Sequence, residues 1–123
     1  MSKAVVVDDS RAVRLILRRT LEKHGYQVYE AGHGKEALGL LEQHPDVNLM
    51  LVDWNMPEMN GLELVRAVRS KPERARIALM MVTTETEMEQ VVRALAAGAN
   101  EYVMKPFSEQ VVTDKLRWLG VIS

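Results

Sequence analysis

The chain has 123 residues, 47% hydrophobic and 27% charged, with 16 Lys and Arg against 17 Asp and Glu for a net charge of −1. That length suits one domain, which buries roughly two thirds of the surface its unfolded form exposes and needs no disulfide staples. The absence of cysteine excludes thiol catalysis, thiolate metal sites and disulfide scaffolds together, and the balanced charge gives no reason for general affinity to nucleic acid or acidic lipid.

Five short β-branched or apolar runs predict strands at Ala4–Asp8, Tyr26–Glu30, Asn48–Asp53, Ile77–Val82 and Asn100–Met104. They begin 22, 22, 29 and 23 residues apart, room each time for one strand and one crossover helix. The first intervening segment carries Val13, Ile16, Leu17 and Leu21 at helical spacing and ends at Gly25. The second opens on Gly32-His33-Gly34-Lys35-Glu36-Ala37, and the third on Asn60 and Glu63, suited to a cap and the third helical residue. In the fourth, Met88, Val91, Val92, Leu95 and Ala96 form an apolar stripe, with Thr86 and Glu89 as a capping box and Gly98 as a left-handed stop. Ser108 caps the last helix, whose apolar positions are Val112, Leu116 and Leu119. Strict alternation of strand and helix predicts a parallel sheet covered on both faces. Strands one, three and four are almost wholly apolar, as doubly covered strands should be; strand two alternates, as an edge does.

Ligands bind such sheets at the carboxyl ends of the strands, where strand order reverses. There the chain places Asp8-Asp9 after strand one, Asp53 after strand three, Thr83-Thr84 after strand four and Lys105-Pro106 after strand five. Two carboxylates about 4 Å apart repel by roughly 4 kcal/mol at an effective dielectric near 20. Asp8, Asp9 and Asp53 together therefore require a cation, or one of them must stay protonated. All-oxygen ligands on an open rim suit Mg2+, which completes its shell with water and phosphate oxygens. Lys105 adds one positive charge and Thr83 a hydroxyl, making a phosphoryl-transfer constellation in which a carboxylate can act as nucleophile. The bland alternative is that acids ending buried strands merely avoid the core and cap helices; it weakens when four placements coincide. His24, His33 and His44 fall near helix ends and turns, as solvated or capping residues rather than bases.

Other signals carry less. The stretch from Gly32 to Ala37 fits a dinucleotide fingerprint with Asp53 21 residues on, but so short a chain lacks the two-half sheet that dinucleotides need. A tight strand-to-helix turn explains Gly32 and Gly34 better. Arg11, Arg14 and Arg18, with Arg19 and Lys23, make the first helix basic; a solvated face is the simpler reading, a docking face for an acidic phosphotransfer domain the sharper one. Most of the eight methionines read as core filler, with Met56, Met59 and Met88 left as an adaptable contact surface near the site. Trp118 reads first as a packing residue of the last helix, with a partner contact as the lesser alternative.

The motifs Val6-Val7-Asp8-Asp9-Ser10, Leu51-Val52-Asp53-Trp54-Asn55-Met56-Pro57, Met59-Asn60-Gly61, Val82-Thr83-Thr84 and Tyr102-Val103-Met104-Lys105-Pro106-Phe107 resemble, in order and spacing, those of response-regulator receiver domains. The likeness is nearest to the single-domain chemotaxis type and covers essentially the whole chain, residues 1–123, as one receiver domain. It implies a flavodoxin-like (βα)5 fold with strand order 2-1-3-4-5. It further implies that Asp53 accepts phosphate from a histidine-kinase phosphohistidine, and that Asp9, Asp53 and the Asn55 carbonyl hold Mg2+ with Asp8 assisting through water. Lys105 would contact the phosphoryl group, Thr83 would move toward it, and Tyr102 would follow inward as the aromatic switch. The resemblance also implies a cis Lys105-Pro106 bond and gives Asn55 and Glu85 the positions that tune dephosphorylation.

Its implied partners are a sensor histidine kinase or phosphotransfer domain and an effector protein on the face of helix four, strand five and helix five, with no nucleic acid and no membrane. No apolar run approaches the roughly 18 residues of a membrane span, and the N-terminus turns acidic too soon for a signal peptide, so a cytoplasmic location is expected. The expectation is a signalling phosphoacceptor rather than an enzyme. Two rivals are a Mg2+-dependent phosphohydrolase, which would need an acid where Asn55 stands, and a pseudo-receiver that never accepts phosphate.

Overall fold

The five apolar runs form five parallel strands in a computed structural model that describes residues 2–84 and 88–123. In chain order the elements are β1 (Ser2–Val7), α1 (Arg11–Lys23), β2 (Tyr26–Ala31), α2 (Gly34–Gln43), β3 (Leu49–Asp53), α3 (Gly61–Arg69), β4 (Ala78–Thr84), α4 (Met88–Ala97), β5 (Glu101–Lys105) and α5 (Glu109–Trp118). A single 3₁₀ turn at Pro72–Arg74 joins α3 to β4. The strands lie in the order β2-β1-β3-β4-β5, the doubly wound, flavodoxin-like arrangement. Successive strands are added to one side of β1 and then, from β3 on, to the other, which makes the carboxyl ends of β1 and β3 the switch point. Ser2 and Lys3 extend β1 beyond its predicted start, pairing with Tyr26 and Gln27, because ladder bonds use only the backbone. β4 likewise runs on through Thr83 to Thr84.

Alternation along each strand divides the interior in two. Leu49 and Leu51 of β3 pack with Leu17 and Leu21 of α1 and with Val112 and Leu116 of α5. Met50 and Val52 pack on the other face, with Ala37 and Leu41 of α2, Leu64 and Val68 of α3, and Ala94 of α4. The caps anticipated for α3 and α5 form: Asn60 and Glu63 make a reciprocal capping box, and Ser108 accepts from the Val111 amide; Ser10, not singled out as a cap, accepts from the Val13 amide at the start of α1. His33 caps α2 through Nδ1, 3.2 Å from the Glu36 amide, and His44 stacks on Tyr29. Gly25 (φ +85°) and Gly98 (φ +123°) terminate α1 and α4 in the region that favours glycine.

Three expected faces differ. In α4, Val91 and Ala94 are buried, whereas Val92 and Leu95 are exposed. Positions three apart share a face, and the small Ala94 lets the helix lie close to the sheet. Ile16 of α1 is also exposed, the buried face being Leu17, Thr20 and Leu21. Trp118 is 72% exposed rather than packed, because it lies two residues past buried Leu116, on the far side of the helix. The expected capping box at Thr86 and Glu89 and the Met88 side chain lie outside the described residues.

At the end of the sheet remote from Asp53, Arg69 closes α3. Its guanidinium makes six hydrogen bonds: two to the Gly98 carbonyl, one each to the carbonyls of Arg74, Ala75 and Ile77, and one to Asn100 Oδ1. One side chain thus ties the α3–β4 connection to the α4–β5 loop.

Candidate functional site

β1 and β3 are paired, Val7 opposite Val52, so the residues that follow emerge together on the carboxyl rim. Carboxylate oxygens of Asp8, Asp9 and Asp53 lie within 4.8 Å of one another. The Asp8 and Asp53 side chains are 1% and 5% exposed, while Asp9 faces solvent. Lys105, the last residue of β5, reaches across β4. Its Nζ lies 3.1 Å from Asp8 Oδ2 and 3.2 Å from Asp53 Oδ1. Asp8 Oδ1 accepts from the Ser10 amide at 2.8 Å, which turns its other oxygen toward the cluster.

One ammonium does not balance this much negative charge. Burial, and then the charge of Asp8, push the Asp53 carboxyl up to about 6, although Lys105 and the Asn55 amide favour its ionised form. The Lys105 ammonium is opposed by burial, but Asp53 and Asp8 outweigh this and raise its pKa. The cluster therefore offers only hard oxygen donors and an uncompensated charge, a donor set that fits Mg2+.

The remaining candidates lie around this centre. Asn55 is exposed two residues past Asp53. Thr83 is fully buried near the end of β4, its hydroxyl 3.4 Å from the Thr84 carbonyl. Tyr102 packs at the edge of the α2–α4 core, and the Lys115 ammonium stands 4.6 Å from its ring centroid. Lys115 also pairs with Glu101 at 3.1 Å. The Lys105–Pro106 peptide is cis. Glu85 lies outside the described residues.

Two readings of the loops change. Met56 is buried and Met59 packs against the core, so neither supplies the expected exposed contact surface. Gly34 does not adopt a positive φ; a Cβ there would lie 2.6 Å from Met59 Sδ, so the glycine makes room for the β3–α3 loop. Gly61 has the same role nearer the centre, because a Cβ would lie 3.0 Å from the Asp53 carbonyl and from Trp54 Cα. Its amide bonds the Trp54 carbonyl at 2.9 Å, drawing the start of α3 onto the strand end that carries Asp53. The basic stripe of α1 is also largely engaged: Arg14 and Arg18 pair with Glu30, and Lys23 with Glu109. Arg14 was read only as part of the basic face and Glu30 had no role, although Glu30 lies near the end of β2 and Arg14 and Arg18 are spaced at i and i+4 to meet it.

A family profile for the response regulator receiver domain matches residues 4–117. The chain is 49% identical to a Chemotaxis protein CheY homolog of Campylobacter jejuni, over 93% of this chain and 88% of that protein. It superposes on the chemotaxis protein CheY4 of Vibrio cholerae with a TM-score of 0.89 at 34% identity, covering 97% and 98% of the two chains. It also superposes, with a TM-score of 0.91 at 35% identity, on a protein described as a two-component system response regulator/GGDEF domain protein. There it covers 98% of this chain and 49% of the other, about half that protein's length.

Proposed function

The chain belongs to the response regulator receiver domain family, with chemotaxis CheY proteins among its relatives, and on that premise we propose that Asp53 is its phosphoacceptor. The observation that carries this reading is the convergence of Asp8, Asp9 and Asp53 on one rim with Lys105 bridging two of them. An Asp53 oxygen attacks the phosphorus of a phosphohistidine; the P–O bond forms as the P–N bond breaks, and the electron pair returns to the imidazole. Asp9, Asp53 and the Asn55 carbonyl would hold Mg2+, with Asp8 assisting. Bound Mg2+ supplies positive charge to the phosphoryl oxygens. Lys105 can leave its carboxylate partners for a phosphoryl oxygen, and the Thr83 hydroxyl donates to another, so the new charge is met by groups already on the rim. Movement of Thr83 gives Tyr102 room to turn inward, which re-poses α4, β5 and α5 for an effector protein. That face already leaves Val92, Leu95, Val111 and Trp118 exposed.

The donor is a sensor histidine kinase or its phosphotransfer domain. A hollow of about 460 Å³ beside Lys105, lined by Val13, Ile16, Pro106 and Phe107, supports docking next to the site. The reading treats residues 1–123 as one receiver unit that accepts phosphate without turning over a substrate, in the cytoplasm. No helix among the described residues is long and apolar enough to cross a membrane.

Incubation with a radiolabelled phosphohistidine kinase domain and Mg2+ tests the assignment. We expect stoichiometric labelling that is lost in base and to hydroxylamine, as an acyl phosphate is; a base-stable label, or none, would overturn it. Asn55 and Glu85 are assigned the tuning of phosphate loss. Glu85→Ala should change the decay rate of the labelled protein severalfold, and an unchanged rate removes Glu85 from that role.

A further inference from the structure

Asp8 is fixed through every polar atom of its backbone. Its amide donates to the Ala31 carbonyl at 3.0 Å, and its carbonyl accepts from Arg14 Nη1 at 2.6 Å. Arg14 is itself held: its Nε lies 3.1 Å from Glu30 Oε1, while Glu30 Oε2 takes Arg18 Nη1 at 2.8 Å. Arg14 is 18% exposed on its side chain, so the fork is seated between α1 and the end of β2.

A guanidinium beside an acidic cluster poses a problem of sign. As a bare charge it weakens the attraction of the cluster for any cation. Its geometry gives it another use. The Asp8 carbonyl and the Asp9 amide share one rigid peptide plane. Fixing that oxygen therefore fixes the direction in which the chain leaves β1, and with it the positions of both carboxylates. Glu30 holds the fork on the carbonyl and offsets its charge.

We propose that Arg14, clamped by Glu30, is a positioning residue that orients the Asp8–Asp9 peptide so that the acidic cluster binds a divalent cation. This rests on the cation reading given above.

Titration of the full chain with Mg2+ alone separates the two roles of the arginine. Trp54, adjacent to Asp53, supplies a fluorescence signal, and circular dichroism in the absence of metal confirms the fold of each variant. If Arg14 positions the loop, Arg14→Met binds Mg2+ about tenfold more weakly, the low end of the effect of losing an outer support of a metal site. If it is only a charge, the same variant binds equally well or more tightly, and the proposal is overturned. Arg14→Lys keeps the charge but cannot fork between Glu30 and the Asp8 carbonyl. It should lie between wild type and Arg14→Met, and it decides the matter if Arg14→Met does not fold; wild-type affinity in Arg14→Lys overturns positioning. Failure of the wild-type chain to bind Mg2+ overturns the cation reading itself, and the proposal with it.

Discussion

Asp53→Asn is expected to abolish labelling by a phosphohistidine donor while making the metal-free protein more stable at neutral pH. The first effect follows from the loss of the attacking oxyanion. An amide oxygen has no comparable nucleophilicity, and Asp8 is occupied by the Ser10 amide and Lys105. The second follows from the Asp53 carboxyl, which burial and Asp8 push up to about 6 from an ordinary 3.8. Below about pH 3 the group is protonated in folded and unfolded chains alike, and wild type loses nothing. Between about pH 4 and pH 6 the unfolded chain ionises while the buried carboxyl stays protonated, so wild type loses stability across that window by a difference that approaches about 3 kcal/mol and is complete above about pH 6. Asparagine carries no such charge. Urea midpoints at pH 3 and pH 8 without metal should therefore coincide at the lower pH and separate in favour of Asp53→Asn at the higher. Added Mg2+ should narrow the gap by stabilising wild type selectively. A variant less stable than wild type at pH 8 would contradict the charge excess assigned to the cluster.

Lys105→Ala is expected to act in the opposite direction. The ammonium bridges Asp8 and Asp53, whose side chains are almost fully buried. Its removal leaves two buried carboxylates facing each other. Breaking a buried pair by deleting one partner costs about 3–5 kcal/mol, and Lys105, being 24% exposed, belongs at the lower end. The raised pKa of Lys105 keeps this contribution fully present at neutral pH; it is lost only as pH rises through the lysine range. The loss in the variant should shrink on acidification, because protonation of Asp53 removes the repulsion, and again on addition of millimolar Mg2+, which supplies a substitute cation. Phosphotransfer should slow but persist, since the nucleophile is intact. Urea denaturation with and without Mg2+ checks this, and a metal-independent deficit would show that Lys105 acts by packing rather than charge.

The rim and the sheet were legible because they depend on short-range regularities. Strand spacing, alternation and the acids at strand ends sufficed to bring Asp8, Asp9, Asp53 and Lys105 to one place. The polar atoms of Asn60 and Ser108 announced their helix starts in the same way. The helical faces were harder to read. Apolar side chains at Ile16, Val92 and Leu95 satisfy a helical period yet face outward, because burial depends on where the neighbouring helix and sheet lie. Met59 and Gly34 show the same limit, for their contact joins two loops distant in sequence. The hold of Arg14 on Asp8 was invisible because it ends on a main-chain carbonyl, which no residue letter records.

Arg69 has a consequence for how this chain tolerates change. Four of its five acceptors are main-chain carbonyls, atoms supplied by every kind of residue. Side chains at Arg74, Ala75 and Ile77 can therefore change without removing these acceptors, whereas Gly98, at φ +123° and with a Cβ that would lie 2.8 Å from Arg69 Cγ, cannot. The anchor itself has no substitute: lysine lacks the planar fork that spans several oxygens at once. Constraint that would otherwise be spread over both loops is gathered into that side chain and the two residues it needs by kind, Gly98 and Asn100. The base of the sheet is thus pinned at a few positions, Arg69, Gly98 and Asn100, far from the rim where the chemistry occurs.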